Sequence, residues 1–137
     1  MTLHSPTLDL IILWHMHQPD YRDSETGEFI LPWVYLHAIK DYTDMAHHLE
    51  MHPGIRLTVN FVPILLDQLE DYCQQFSETK IRDPLLRLLV TPDLNQISAQ
   101  DRTLILKSCF LSNHKTMLKP YPAYQALRNL YDDMQAL

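Results

Sequence analysis

The sequence predicts an α/β fold in which parallel strands alternate with helices, and three observations support this prediction. Residues 8–14 read LDLIILW, an almost continuous apolar run typical of a strand buried on both faces of a parallel sheet. Residues 34–51 carry apolar side chains at helical spacings of three and four, and residues 55–61 alternate between apolar and polar side chains as a strand does. A strand, a helix and a strand in this order form a parallel pair with a right-handed crossover.

The boundaries of these elements follow from residues that interrupt a strand or a helix. The first strand must end before Pro19, because proline has no N–H group to donate to a neighbouring strand. A polar loop over residues 20–32 follows, and the helix after the loop stops at Pro53 and Gly54. The apolar stripe of this helix consists of Ile39, Tyr42, Ala46 and Leu49.

Helices account for the remainder of the chain. Pro63 fits the first turn of a helix, where its missing N–H group costs nothing. Ser98 and the acidic residue three positions later resemble a capping box, which predicts a helix over residues 99–111. Residues 84–90 and 122–134 complete the predicted helices. The helix after Pro63 is expected to bury Leu65, Leu69, Tyr72 and Phe76 and to expose Asp67, Glu70 and Asp71, and the last helix has its stripe at Tyr124, Leu127, Tyr131 and Met134.

The composition excludes several classes of function. A net charge of −6 without any basic run disfavours nucleic-acid binding, and two glycines in 137 residues exclude Gly-rich phosphate loops. No apolar run approaches the roughly 20 residues that span a bilayer, and the N-terminus lacks the pattern of a signal peptide. Cys73 and Cys109 have no zinc-site or disulfide spacing and are expected to be reduced core residues. We therefore expect a cytoplasmic protein without a cofactor or a membrane partner.

The predicted sheet is too small to be stable by itself. Parallel sheets have several strands with both faces covered, whereas only two strands are predicted here. We therefore expect residues 1–137 to form one segment of a larger domain, with no second domain in the chain. The open edge of the sheet is expected to be covered by the rest of that domain or by another chain.

The segment with the strongest chemical signal is His15-Met16-His17-Gln18-Pro19, at the end of the first strand. In α/β folds, functional sites form at the carboxyl ends of parallel strands. Because side chains alternate along a strand, His15 and His17 should lie on the same side. Two imidazoles and one amide at this position can form hydrogen bonds with a polar ligand.

Three segments of the chain, in order, resemble glycoside hydrolase family 57. Residues 14–19, WHMHQP, resemble the first motif of that family. Residues 28–46, EFILPWVYLHAIKDYTDMA, resemble the segment after its first loop, and residues 56–72, RLTVNFVPILLDQLEDY, resemble its second strand and helix. The resemblance implies a (β/α)7 barrel, of which this chain would be the N-terminal portion, and a retaining mechanism on α-glucans.

The resemblance also implies how the site is divided between this chain and the rest of a barrel. A retaining mechanism uses two carboxylates about 5 Å apart, which the family carries on later strands. We therefore expect no catalytic residue in this chain and no turnover by the chain alone. What the resemblance assigns to this chain is binding of an α-glucan or oligosaccharide: His17, Gln18 and Pro19 match the first motif of the family, whose histidine lines the donor-sugar subsite.

Three further residues are predicted to line the same site. His15 and Trp33 are expected as neighbours of the motif, and the face of a tryptophan ring can stack on the apolar face of a sugar. Asn60, near the end of the second strand, can reach a hydroxyl group. Structural roles stay open for each of them: a hydrogen-bonded histidine, a core tryptophan and an asparagine that caps the backbone.

Two other classes of function compete with a glycoside hydrolase. A metal-dependent hydrolase, such as a deacetylase, would use His15 and His17 as ligands, since His-x-His at a strand end is a common ligand arrangement. This hypothesis needs a third ligand, which the sequence does not indicate. The chain could also be a non-enzymatic module that folds by pairing with another chain across its open sheet edge.

Overall fold

A computed structural model describes residues 8–135, which fall into two compact units with a boundary between Asp83 and Pro84. The first unit holds two parallel strands with helices between and after them, and the second is helical, so the predicted α/β arrangement is confirmed. The first unit contains β1 (Leu13–Met16), α1 (Trp33–His37), a π-helical segment (Ala38–Tyr42), α2 (Thr43–Met51), β2 (Thr58–Phe61) and α3 (Pro63–Ser77). The second contains α4 (Pro84–Leu89), a 3-10 turn (Leu94–Gln96), α5 (Ala99–Cys109), a second π-helical segment (His114–Leu118) and α6 (Pro122–Gln135).

The two strands pair in parallel, with His15 beside Asn60 in the register. β1 begins later than predicted, because residues 8–12 lie outside the strand. The prediction that the first strand is buried on both faces is wrong for the described residues, since Leu13 is 60% exposed and Ile11 is 88% exposed. An apolar run shows which side chains can be buried, but burial itself needs a second layer of structure on each face of the sheet.

The predicted helix after the loop is present as α1, a π-helical segment and α2. In the widened turn, the Thr43 hydroxyl donates a hydrogen bond to the carbonyl of Ala38, five residues earlier, at 2.9 Å. A π-helical turn holds more residues than an α-helical one, so a stripe calculated with constant spacing loses its phase there. Ile39, expected in the stripe, is accordingly 70% exposed, whereas Val34 and Tyr35 are buried in α1, which packs against α3.

The core face of α3 is more polar than predicted. The helix begins at the predicted proline, and Leu65 and Tyr72 of its stripe are buried. Phe76 is 53% exposed, so its prediction as a core residue is wrong, and Gln68 and Gln75 are buried instead, with 0% and 3% exposure. Part of this face lies against the loop that follows β1. There Gln68 contacts backbone N–H and C=O groups of the loop, which require a polar partner.

The loop between β1 and α1 contains a small hairpin. Arg22 and Phe29 form an antiparallel bridge, and the Asp23 carboxylate accepts hydrogen bonds from two backbone N–H groups of the intervening turn at 2.8 and 3.0 Å. Gly27 has a φ of +69°, in the left-handed region, and an added Cβ would lie 3.1 Å from Nη1 of Arg82. The positive φ favours glycine at this turn, and any larger residue would also require the Arg82 side chain to shift by a few tenths of an ångström.

Ion pairs join this loop to the flank of α3. Arg22 pairs with Asp20 at 2.9 Å, with Asp71 at 3.3 Å and with Asp67, and Arg82 also pairs with Asp71. The side chain of Asp71 is 10% exposed. The prediction of a solvated residue is therefore wrong for Asp71, while Asp67, at 60% exposure, remains largely in contact with solvent.

The second unit is built from helices that pack along the chain. α4 packs against α5, and Ser98 caps α5 as predicted, because its hydroxyl accepts from the Asp101 N–H at 3.1 Å and donates to the Asp101 carboxylate at 2.8 Å. The predicted stripe of α6 lines an apolar groove beside α5. Cys73 and Cys109 are both exposed and free, so their prediction as core residues is wrong. None of the helices within residues 8–135 is long and apolar enough to cross a membrane.

Acid should weaken the attachment of the loop through Asp71. Burial alone would raise the pKa of this carboxyl, but hydrogen bonds from Gln75, Arg82 and Arg22 outweigh burial and hold the pKa below its ordinary value of 3.8. The stabilisation is therefore complete above pH 3.8 and is lost as the pH falls through the lower pKa of the folded state. We expect Asp71→Asn to lower the free energy of unfolding near neutral pH by about 1–2 kcal/mol and to flatten its decline in acid, as measured by urea unfolding at several pH values.

The matched control for this prediction is Glu70→Gln. It makes the same change of charge at the neighbouring, exposed position of α3. An acid profile flattened equally by both substitutions would contradict the prediction, because general charge repulsion would then explain the acid sensitivity without the Asp71 ion pairs.

Candidate functional site

His15 and His17 lie at the carboxyl end of β1, next to Asn60 of β2, and all three side chains are exposed. The two imidazole rings stack, with centroids 5.8 Å apart and planes 12° from parallel. They therefore lie on the same side of the chain, as the alternation of a strand predicts. Asn60 contacts His15 through its carboxamide, with His15 Nδ1 2.7 Å from Asn60 Oδ1.

The contact with Asn60 determines where the proton of a neutral His15 ring lies. The carboxamide oxygen can only accept a hydrogen bond, so Nδ1 of His15 carries the hydrogen and Nε2 becomes the acceptor. This acceptor is available for a ligand hydroxyl. The ring nitrogens of His17 have no hydrogen-bond partner among residues 8–135 and are available as well.

The side chain of Gln18 is largely occupied within the protein. Its Oε1 accepts from the Tyr21 hydroxyl at 2.8 Å, and its Nε2 donates to the Tyr42 hydroxyl at 3.3 Å. Burial and the neighbouring Tyr42 raise the pKa of Tyr21, so this hydroxyl stays protonated and remains a donor. Tyr42 in turn stacks near His37, with ring centroids 6.1 Å apart. Gln18 thus connects the strand end to the helices that follow.

Pro19 and Trp33 are placed differently from the histidines. Pro19 takes part through its carbonyl, which accepts a hydrogen bond from Gln68 Nε2 at 2.9 Å. Trp33 is half-buried at the start of α1, and its ring lies 6.5 Å from that of His37. No ring contact joins Trp33 to His15 or His17 in the described part of the chain.

The carboxylate closest to the motif in sequence is Asp20, and it is engaged in an ion pair. Hydrogen bonds from the Arg22 side chain, 2.9 and 3.0 Å long, hold the pKa of the Asp20 carboxyl below its ordinary range. Asp20 is therefore an ionised partner of Arg22 rather than a proton donor. Among residues 8–135, no three His, Cys, Asp or Glu side chains come together as metal ligands. The metal-dependent alternative thus finds no third ligand for His15 and His17 in this part of the chain.

Three residues that the sequence did not single out take part in the site. Tyr21 and Tyr42 both bond to Gln18, and Gln68 bonds to the backbone on either side of Asp20. Tyr42 lay in a predicted apolar stripe, and the sequence pattern does not show whether the hydroxyl of a tyrosine in such a stripe has a hydrogen-bond partner. For Gln68 a signal exists, because a polar residue occupies a position with core spacing between Leu65 and Tyr72.

The orientation of His15 by Asn60 can be tested directly. Replacing Asn60 by leucine removes the acceptor for Nδ1–H, so we expect the neutral ring to lose its preference for the Nδ1–H tautomer. The ¹⁵N chemical shifts of the His15 ring, measured by NMR, report this change. The control is Asn129→Leu, an exposed asparagine of α6. Ring shifts that are the same in Asn60→Leu and in the unsubstituted protein would contradict the assignment.

Comparison with known proteins addresses the family of the chain. A family model described as glycosyl hydrolase family 57 matches residues 11–136, which include both strands and every predicted site residue. The comparisons with curated proteins and with solved structures gave no match. The match extends over nearly the whole chain and confirms the resemblance carried by the three sequence segments. The chain therefore belongs to glycosyl hydrolase family 57.

Proposed function

We propose that this chain forms part of a retaining, α-glucan-active glycosidase or transglycosidase of the cytoplasm, and that its His-Gln-Pro segment binds sugar in the donor subsite. Membership of the family supports a glycoside hydrolase type of function and a carbohydrate substrate. The observation that carries the proposal is the exposed, stacked pair of His15 and His17 at the carboxyl end of β1. In this proposal residues 1–137 are one segment of a (β/α)7 barrel, with β1 and β2 as its first two strands.

The chemistry of the two imidazoles suits a sugar ligand. Each sugar hydroxyl both donates and accepts a hydrogen bond, and Nε2 of His15 offers an acceptor while His17 offers a donor and an acceptor. Stacked at 5.8 Å, the rings present these groups side by side. Gln18 adds one remaining N–H of its amide, and Trp33 offers a ring face farther along the loop.

We also propose that the catalytic carboxylates lie outside residues 8–135. A retaining mechanism needs a nucleophile and an acid/base about 5 Å apart. The pKa of Asp20 is held low by Arg22, and that of Asp71 is held low, against its burial, by Gln75, Arg82 and Arg22, so neither carboxylate is a proton donor. In this proposal residues 8–135 contribute substrate binding but neither catalytic carboxylate. We therefore expect no turnover of maltoheptaose by the chain alone.

The exposed apolar residues around β1 support a covering partner. Leu10, Ile11 and Leu13 are 78%, 88% and 60% exposed, and Phe61 of β2 is 46% exposed. An apolar patch of this kind is characteristic of a contact surface. We propose that further elements of the barrel, or another chain, cover it. Light scattering tests the covering by another chain: association that Leu10→Gln with Ile11→Gln reduces would support it, and a clean monomer at high concentration would contradict it and leave the barrel elements as the cover.

Removal of the His17 imidazole tests the binding role. We expect His17→Ala to weaken the affinity for maltoheptaose about three- to tenfold, since one hydrogen bond contributes about 0.5–1.5 kcal/mol net. Isothermal titration calorimetry measures this affinity. The matched control is His47→Ala, an exposed histidine on α2. Equal affinities of His17→Ala and the unsubstituted protein, or hydrolysis that persists without His17, would contradict the proposed function.

A further inference from the structure

The side chain of Gln68 is fully buried and joins three backbone groups. Its Nε2 donates to the carbonyl of Pro19 at 2.9 Å and to that of Ile64 at 3.1 Å, and its Oε1 accepts from the Tyr21 N–H at 3.0 Å. The orientation of the amide is unambiguous, because a carbonyl can only accept and a backbone N–H can only donate. Gln68 therefore holds the chain on both sides of Asp20 from within α3.

We infer that Gln68 is a positioning residue, which holds His17 and Gln18 in the conformation that binds sugar by fixing the backbone immediately after them. This inference rests on the proposed function. A buried amide is costly unless its groups are hydrogen-bonded, whereas an apolar side chain would fill the same space without that requirement. Packing by itself therefore does not account for a glutamine at position 68, and the bonds to Pro19 and Tyr21 do.

The segment after β1 needs such support because it leaves the sheet. The last bond that joins this strand to β2 runs from the Val62 N–H to the carbonyl of Met16, at 3.1 Å. His17 and the residues up to Tyr21 lie beyond that bond and outside any strand. The ion pairs of Arg22 hold the next part of the loop at a more exposed position. Gln68 supplies the buried attachment between the end of the strand and this ion-pair cluster.

The experiment compares two buried glutamines of α3. Gln68→Met keeps the length of the side chain and removes its hydrogen bonds, and Gln75→Met does the same about two helical turns farther on, away from Pro19 and Tyr21. The readouts are the affinity for maltoheptaose and the exchange rate of the Tyr21 amide proton by NMR. We expect Gln68→Met to bind maltoheptaose about tenfold more weakly, because the affinity falls in proportion if the binding-competent conformation is reduced to about a tenth of the population. We also expect the Tyr21 amide proton of this variant to exchange faster. Gln75→Met should retain both properties even if it lowers the melting temperature.

Gln68→Glu provides a readout that a purely structural role would not produce. An ionised carboxylate can accept from Tyr21 but cannot donate to Pro19, whereas a protonated carboxyl can do both. Because burial favours the protonated form, the affinity of Gln68→Glu relative to the unsubstituted protein should recover as the pH is lowered. The variant also keeps the inference testable if Gln68→Met does not fold.

Two results would overturn the inference. One is a Gln68→Met protein that binds maltoheptaose normally, or no more weakly than Gln75→Met does; the other is a relative affinity of Gln68→Glu that does not change with pH. Failure of the unsubstituted protein to bind maltoheptaose would instead overturn the proposed function. In that case the exchange rate of the Tyr21 amide proton still tests the role of Gln68. If this rate is as slow in Gln68→Met as in the unsubstituted protein, the Gln68 side chain does not hold the loop.

Discussion

The backbone that leaves β1 must find hydrogen-bond partners outside the sheet, and much of the first unit depends on how α3 provides them. Buried N–H and C=O groups without partners are costly. Gln68 donates to the carbonyl of Pro19 and accepts from the N–H of Tyr21. The next residue, Arg22, forms ion pairs with Asp67 and Asp71 on the same helix. The site at the strand end is thus carried by a helix that contributes none of the exposed imidazoles.

The same requirement explains why the core of this unit is partly polar. The Phe29 ring packs against that of Tyr72, with centroids 4.3 Å apart and planes tilted by 35°, and the Tyr72 hydroxyl donates to the buried carboxylate of Asp83 at 2.6 Å. Burial and the Asp83 carboxylate raise the pKa of Tyr72 far above its ordinary value, so the hydroxyl stays a donor. Gln75 accepts from the Arg82 N–H at 2.6 Å. Apolar packing and hydrogen bonding therefore act together along α3, and a loss of either lowers the stability of this unit.

The sequence predicted those features that depend on local rules. Alternation placed His15 and His17 on one side, proline marked the start of α3, and Ser98 marked the cap of α5. It did not predict the contact between His15 and Asn60, because the register of a parallel pair is determined by the crossover and not by either strand alone. Asn60 itself was predicted to line the site from its position near the end of the second strand, whereas its bond to His15 depends on tertiary structure.

Other errors come from two assumptions, that apolar residues occupy every buried position and that the spacing along a helix is constant. On α3 the first assumption selected Phe76 as a core residue. Gln75 is buried instead, because the segment that packs against it presents the backbone N–H of Arg82 as a hydrogen-bond donor. On the first helix, the π-helical segment moved Ile39 out of the expected stripe. A periodic pattern identifies which residues can form a core, but it does not show whether the surface that packs against them is polar or apolar.

The three residues of the His-Gln-Pro segment differ in how much of each is free to meet a ligand. The His17 ring is exposed, with no hydrogen-bond partner in the described part of the chain. Gln18 has both ends of its amide engaged with tyrosines, and Pro19 offers its carbonyl to Gln68. One N–H of the Gln18 amide is left for a ligand, whereas a ligand that displaced either tyrosine would remove a bond that contributes about 1 kcal/mol to holding the loop. In the proposed function, contact with the sugar therefore falls mainly to the imidazoles, while Gln18 and Pro19 keep the strand end in place through their bonds to Tyr21, Tyr42 and Gln68.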